Sequence, residues 1–145
     1  MDKKLLIERL KNINGIVAVS QFGSFGTKYW IKDRSDIDLA IIVKPNVSYM
    51  DTLDIEDSIL EIMENYYDYN NIHLTFIMYN DFGSKLARIA IDSYNVFVID
   101  DCSWFDFFHY VLKYIRVNEK FERTLKIDEQ YTYFGRLIDE SLLQI

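Results

Sequence analysis

Cysteine and proline are nearly absent: the chain has 145 residues, one cysteine and one proline. A single cysteine, Cys102, excludes an internal disulfide framework and any cysteine-based metal site. It fits a reducing compartment, so a cytoplasmic location is the expectation. One proline and five glycines leave room for few irregular stretches. Basic residues are outnumbered, 16 against 23 acidic, for a net charge of −7. That balance argues against a general nucleic-acid surface, which needs a basic footprint. It leaves open the binding of one nucleotide through a metal. It also suits solubility or a basic partner. No apolar run approaches the length of a membrane span. Met1 to Arg9 is charged in its first turns and lacks the apolar core of a signal peptide. Repeats, linkers and low-complexity tracts are not apparent.

Half of the residues are hydrophobic, enough for one well-filled core. The length fits a single domain over 1–145, with a core over about 1–99 and a helical extension over about 100–145. The most informative stretch is Phe22-Gly23-Ser24-Phe25-Gly26, followed by Ser35-Asp36-Ile37-Asp38-Leu39-Ala40-Ile41-Ile42-Val43. A Gly-Ser turn follows one apolar run, and two aspartates at i, i+2 open another. Side chains alternate along a strand, so Asp36 and Asp38 share one face while Ile37, Leu39, Ile41 and Val43 share the other. Two adjacent carboxylates repel unless a cation lies between them. Oxygen-only ligands suit Mg²⁺, which commonly takes one or two carboxylates plus substrate phosphates. A Gly-Ser turn offers backbone N–H groups and a hydroxyl to those phosphates. A lone Asp-x-Asp has a plainer reading, a strand opening with solvated acids. The upstream Gly23-Ser24 favours the nucleotide site.

The remaining chain reads as alternating elements. Helices are expected over Asp2–Ile13, Asp51–Tyr67, from an Asn80-Asp81 cap through Ile91, over about Trp104–Phe121, and over Ile127–Leu143. Strands are expected over Gly15–Phe22, Asp36–Val43, Ile72–Met78 and Tyr94–Ile99, the last on an edge. Ser24–Tyr29 is expected to be a short helix or turn facing the phosphates, with Lys28, Lys32 and Arg34 as candidate phosphate contacts. The resulting fold class is α/β (α+β): a small mixed sheet with the site on one face, helices on the other, and helices appended at the C-terminus. The aromatic excess of the last two helices suggests either a thicker core or a protein contact surface.

Gly23-Ser24 with Ser35-Asp36-Ile37-Asp38-Leu39 resembles the signature of the DNA-polymerase-beta-like nucleotidyltransferases. The short chain is most similar to the minimal (MNT-type) branch, whose members often serve as antitoxins paired with a HEPN-domain toxin. The resemblance implies an enzyme that binds ATP with Mg²⁺ (or Mn²⁺) and transfers AMP to a tyrosine hydroxyl of that toxin. It implies Asp36 and Asp38 as metal ligands, and Gly23, Ser24 and Ser35 as nucleotide-binding residues. Catalytic members carry a third carboxylate on the following strand, where it acts as general base. Here that register falls on His73, or on Thr75 of the same face; neither is an acid. His73 has two readings, a metal ligand or proton acceptor and a strand-edge residue without chemical part. Asp68 and Asp81 flank the strand off the pattern. Two rivals follow. One is a catalytically degenerate antitoxin that works by occlusion through its C-terminal helices. The other is a small-molecule transferase, which usually needs a larger substrate domain.

Overall fold

The protein was analysed as a computed structural model that describes residues 1–143, with side chains described through Lys126. Its first compact unit runs Met1–Val111, and Leu112–Ile145 forms a second. The element order is α1 (Lys3–Lys11), β1 (Ile16–Phe22), β2 (Ile37–Val43), α2 (Tyr49–Tyr67), β3 (Ile72–Ile77), α3 (Lys85–Asp92), β4 (Val96–Val98) and α4 (Asp101–Leu143). The four strands form one mixed sheet in the order β3-β2-β1-β4. β1 runs antiparallel to both β2 and β4, while β2 and β3 are parallel. A parallel neighbour needs a crossover, and α2 supplies it.

The alternation in β2 places Ile37, Leu39, Ile41 and Val43 in the core. There they meet Leu6 and Leu10 of α1, Ile59 and Met63 of α2, and Phe97 of β4. α1 starts on an Asp2 cap and α2 on a Ser48–Asp51 capping box. The opposite face of the sheet carries Asp38, Ala40 and Ile42. α3 lies against β1 on that side, where the buried Ser20 Oγ donates to the Ala90 carbonyl at 2.7 Å. β4 is an edge strand, as expected.

Two expected elements differ. α3 begins not at Asn80-Asp81 but after Ser84, whose side chain accepts from the Ala87 N–H. Residues Asn80 to Gly83 form turns instead. Within α3, Ala87, Ala90 and Ile91 are buried and Ile89 is exposed. The two expected C-terminal helices are one, α4, because no glycine or proline between Phe121 and Ile127 stops the helix. Its first turns bury Phe107 and Val111, with Phe107 against the rings of Tyr79, Phe82 and Trp104. Phe105, Tyr110, Val117, Phe121 and Leu125 are exposed. The expected apolar stripe of Tyr131, Phe134, Leu137, Ile138 and Leu142 lies outside the described side chains. Among the described residues no helix is long and apolar enough to cross a membrane.

Candidate functional site

The end of β1 and the starts of β2 and β3 meet at one end of the sheet. Phe22 pairs with Asp38, and Asp38 in turn pairs with His73. β1 turns out of the sheet at Gly23, whose φ of +79° is a left-handed conformation that glycine adopts without cost. Close approach adds a second demand. A Cβ on Gly23 would run into Oδ2 of Asp38. The Gly-Ser turn and the second acid are therefore in direct contact through the glycine backbone.

Asp38 is partly buried, with 27% of its side chain exposed. Burial pushes its carboxyl above the ordinary range, and the nearby Asp36 charge adds to the push. His73 opposes it, with Nδ1 3.6 Å from Oδ1 of Asp38. Asp36 is more exposed. Its Oδ1 accepts a 2.7 Å hydrogen bond from Nδ2 of Asn71, and its carbonyl accepts from Nε1 of Trp30 at 3.0 Å. The site thus brings together Gly23, Asp36, Asp38 and His73.

Ser24 stands in the turn next to Gly23, where its carbonyl accepts from the N–H and hydroxyl of Thr27. Ser35 serves the loop: its Oγ accepts from the Ile31 N–H at 3.0 Å and its carbonyl from the Tyr69 hydroxyl at 2.7 Å. Ser24–Tyr29 is a run of turns rather than a helix. Lys28 lies over the Tyr29 ring, and Lys28, Lys32 and Arg34 are exposed. Lys32 and Asp68 line a cavity of about 320 Å³ that also includes Asn71. Asp81 sits in the turn after β3, its N–H bonded to the Met78 carbonyl.

The spacer between the Gly-Ser turn and the acid pair is held by aromatic rings. Phe25 packs edge-on against Trp30 and Tyr67, and Trp30 packs against Tyr69. Tyr66 continues the contacts from Tyr67 to the core residue Phe97. Gln21, buried at the end of β1, anchors this array. Its Oε1 accepts from the Tyr67 hydroxyl at 2.8 Å and from Nδ2 of Asn95 at 2.9 Å. Its Nε2 donates to the Tyr94 hydroxyl, which donates to the Phe25 carbonyl. Sequence reasoning missed Gln21, Asn71, Tyr94 and the Trp30–Tyr69 pair. A buried-strand amide beside Ser20, at the end of an apolar run, was the available signal for Gln21.

A glycine-serine turn seated on an Asp-x-Asp strand, in a small mixed sheet, is the layout expected of a nucleotidyltransferase domain. The family model described as polymerase beta, nucleotidyltransferase matches residues 4–97, and the chain belongs to that family. Among solved structures it is similar to a chain from the crystal structure of the toxin–antitoxin MntA–HpeT, in a form with two Asp-to-Glu substitutions. The two are 14% identical, with 89% of this chain and 98% of that chain covered and a TM-score of 0.51. At that identity the likeness speaks for the fold. No curated protein matches the chain.

Proposed function

We propose that this chain is a nucleotidyltransferase antitoxin that transfers AMP from ATP to a tyrosine hydroxyl of a partner HEPN-type toxin. The observation that carries the reading is the contact of Asp38 with the Gly23 backbone, with the Asp36 charge close by at the residue just before β2. Family membership supports nucleotidyl transfer. The toxin–antitoxin origin of the similar structure and the resemblance to the minimal branch support the partner. The exposed Val117, Phe121 and Leu125 of α4 offer apolar area to such a partner.

Two carboxylates at the start of one strand, one just before it and one within it, suit a divalent cation that completes its shell with phosphate oxygens. Among the described residues no three His, Cys, Asp or Glu side chains form a metal cage of their own. Asp36 and Asp38 would hold Mg²⁺ or Mn²⁺ shared with the triphosphate, and the ion would offset phosphate charge. The Gly23-Ser24 turn receives the β and γ phosphates and so fixes the α phosphorus. The tyrosine oxygen attacks that phosphorus. The bond from the α phosphorus to its leaving bridging oxygen breaks, and pyrophosphate departs. In this reading His73 accepts the phenolic proton.

A second reading is inhibition by binding alone. The residue beside Asp38 on β3 favours it, because His73 stands where a catalytic carboxylate is expected. ATP labelled at the α phosphate, or separately at the γ phosphate, tests the choice with the full chain and its partner toxin. Label from the α position alone should appear on the toxin and vanish in Asp36→Asn/Asp38→Asn. Protection of cells by that double variant, with no label transferred by the wild type, would establish the binding reading.

A further inference from the structure

The acid pair has a neighbour that the transfer scheme leaves unused. β2 and β3 run parallel with Ile37 opposite Ile72 and Asp38 opposite His73. One step back along both strands, Asn71 falls beside Asp36. The Ile37 N–H donates to the Asn71 carbonyl at 2.9 Å, which fixes the two backbones against each other. The Asn71 Nδ2 then donates to Oδ1 of Asp36 at 2.7 Å. Asn71 and His73 therefore stand two residues apart and serve one carboxylate each.

The chemistry of an amide suits this place. It carries no charge and does not titrate, so it adds nothing to the repulsion between the acids. One N–H occupies one lone pair on one oxygen, and the second oxygen stays available. Asp36 is exposed, and an exposed carboxylate without a partner samples several rotamers. A single donor bond to Asp36 selects among them.

We propose that Asn71 is a positioning residue that presets the Asp36 carboxylate for a divalent cation. The proposal rests on the metal–nucleotide reading of the site. Partners of metal ligands typically contribute about 10–100-fold to metal affinity. The Asn71→Ala chain should therefore bind Mn²⁺ at least about tenfold more weakly than wild type in the presence of ATP. Free Mn²⁺ is counted by its electron paramagnetic resonance signal against a protein-free Mn²⁺–ATP control, with melting in EDTA run alongside. The expected pattern has three parts: the affinity loss in Asn71→Ala, partial recovery in Asn71→Gln, and unchanged melting in EDTA. Equal Mn²⁺ affinity in Asn71→Ala and wild type overturns the assignment. So does an affinity loss accompanied by a lower melting temperature and no recovery in Asn71→Gln, which marks a role in the fold. Absence of Mn²⁺ binding by wild type overturns the site reading and the assignment together.

Discussion

The Asp38 carboxylate fills the space that a Cβ on Gly23 would need. The two residues are linked by register, since Phe22 pairs with Asp38 and the chain turns immediately after. Gly23→Ala meets two penalties. A left-handed conformation costs an alanine roughly 1–2 kcal/mol. The new methyl also displaces the Asp38 carboxylate. The variant should lose about that much stability in urea unfolding and most of its stabilisation by Mg²⁺-ATP. Full nucleotide-dependent stabilisation in Gly23→Ala would remove this contact from the site.

Asp38 makes stability depend on pH with a definite sign. Burial, with Asp36 adding, raises its folded-state pKa above the unfolded value. The folded chain therefore binds the proton more tightly than the unfolded chain. The charged Asp38 is a cost above the folded pKa, and the cost fades as pH falls toward the ordinary carboxylate value of about 3.9. In EDTA, Asp38→Asn should melt at or above wild type at neutral pH. Its advantage should shrink on acidification toward about pH 4. An Asn variant that melts below wild type at neutral pH, and recovers in acid, would reverse the sign.

Gln21 is the acceptor for two partly buried donors, the Tyr67 hydroxyl and the Asn95 amide. Burial pushes the Tyr67 hydroxyl well above its ordinary range, so it stays protonated and needs an acceptor. Gln21→Leu strands that hydroxyl and the Asn95 amide. A loss of about 1–3 kcal/mol is expected in urea unfolding. Tyr67→Phe on the Gln21→Leu background should recover part of it, because the stranded hydroxyl is then gone. Strict additivity of the two changes would mean that the pair does not act as a unit.

Local pattern made much of the molecule legible in the sequence. Alternation in Asp36–Val43 gave the two faces of β2, and the 3.6-residue spacing gave α2. The family resemblance points to His73, or to Thr75 on the same face, for the third-carboxylate position, and the strand register sets His73 beside Asp38. What escaped depends on partners far along the chain. Asn71 meets Asp36 only because the α2 crossover makes β2 and β3 parallel neighbours. Gln21 gathers Tyr67, Tyr94 and Asn95, some 46 to 74 residues away. The start of α3 escaped for a local reason. Asn80-Asp81 and Ser84 are both good caps, and only packing against β1 chooses between them. Ser35 was read as nucleotide-binding by its place in the motif, whereas its hydroxyl closes the loop from Ile31.

Thermal unfolding with and without Mg²⁺-ATP, on wild type and on Asp36→Asn/Asp38→Asn, tests the central claim most directly. A ligand at about a hundred times its Kd stabilises by about 2.7 kcal/mol. For a domain of this size that is a rise of several degrees. A metal-dependent rise in wild type that disappears in the double variant is the predicted result. No rise in wild type at saturating Mg²⁺-ATP, or an equal rise in both proteins, would contradict a nucleotide site built on the two aspartates.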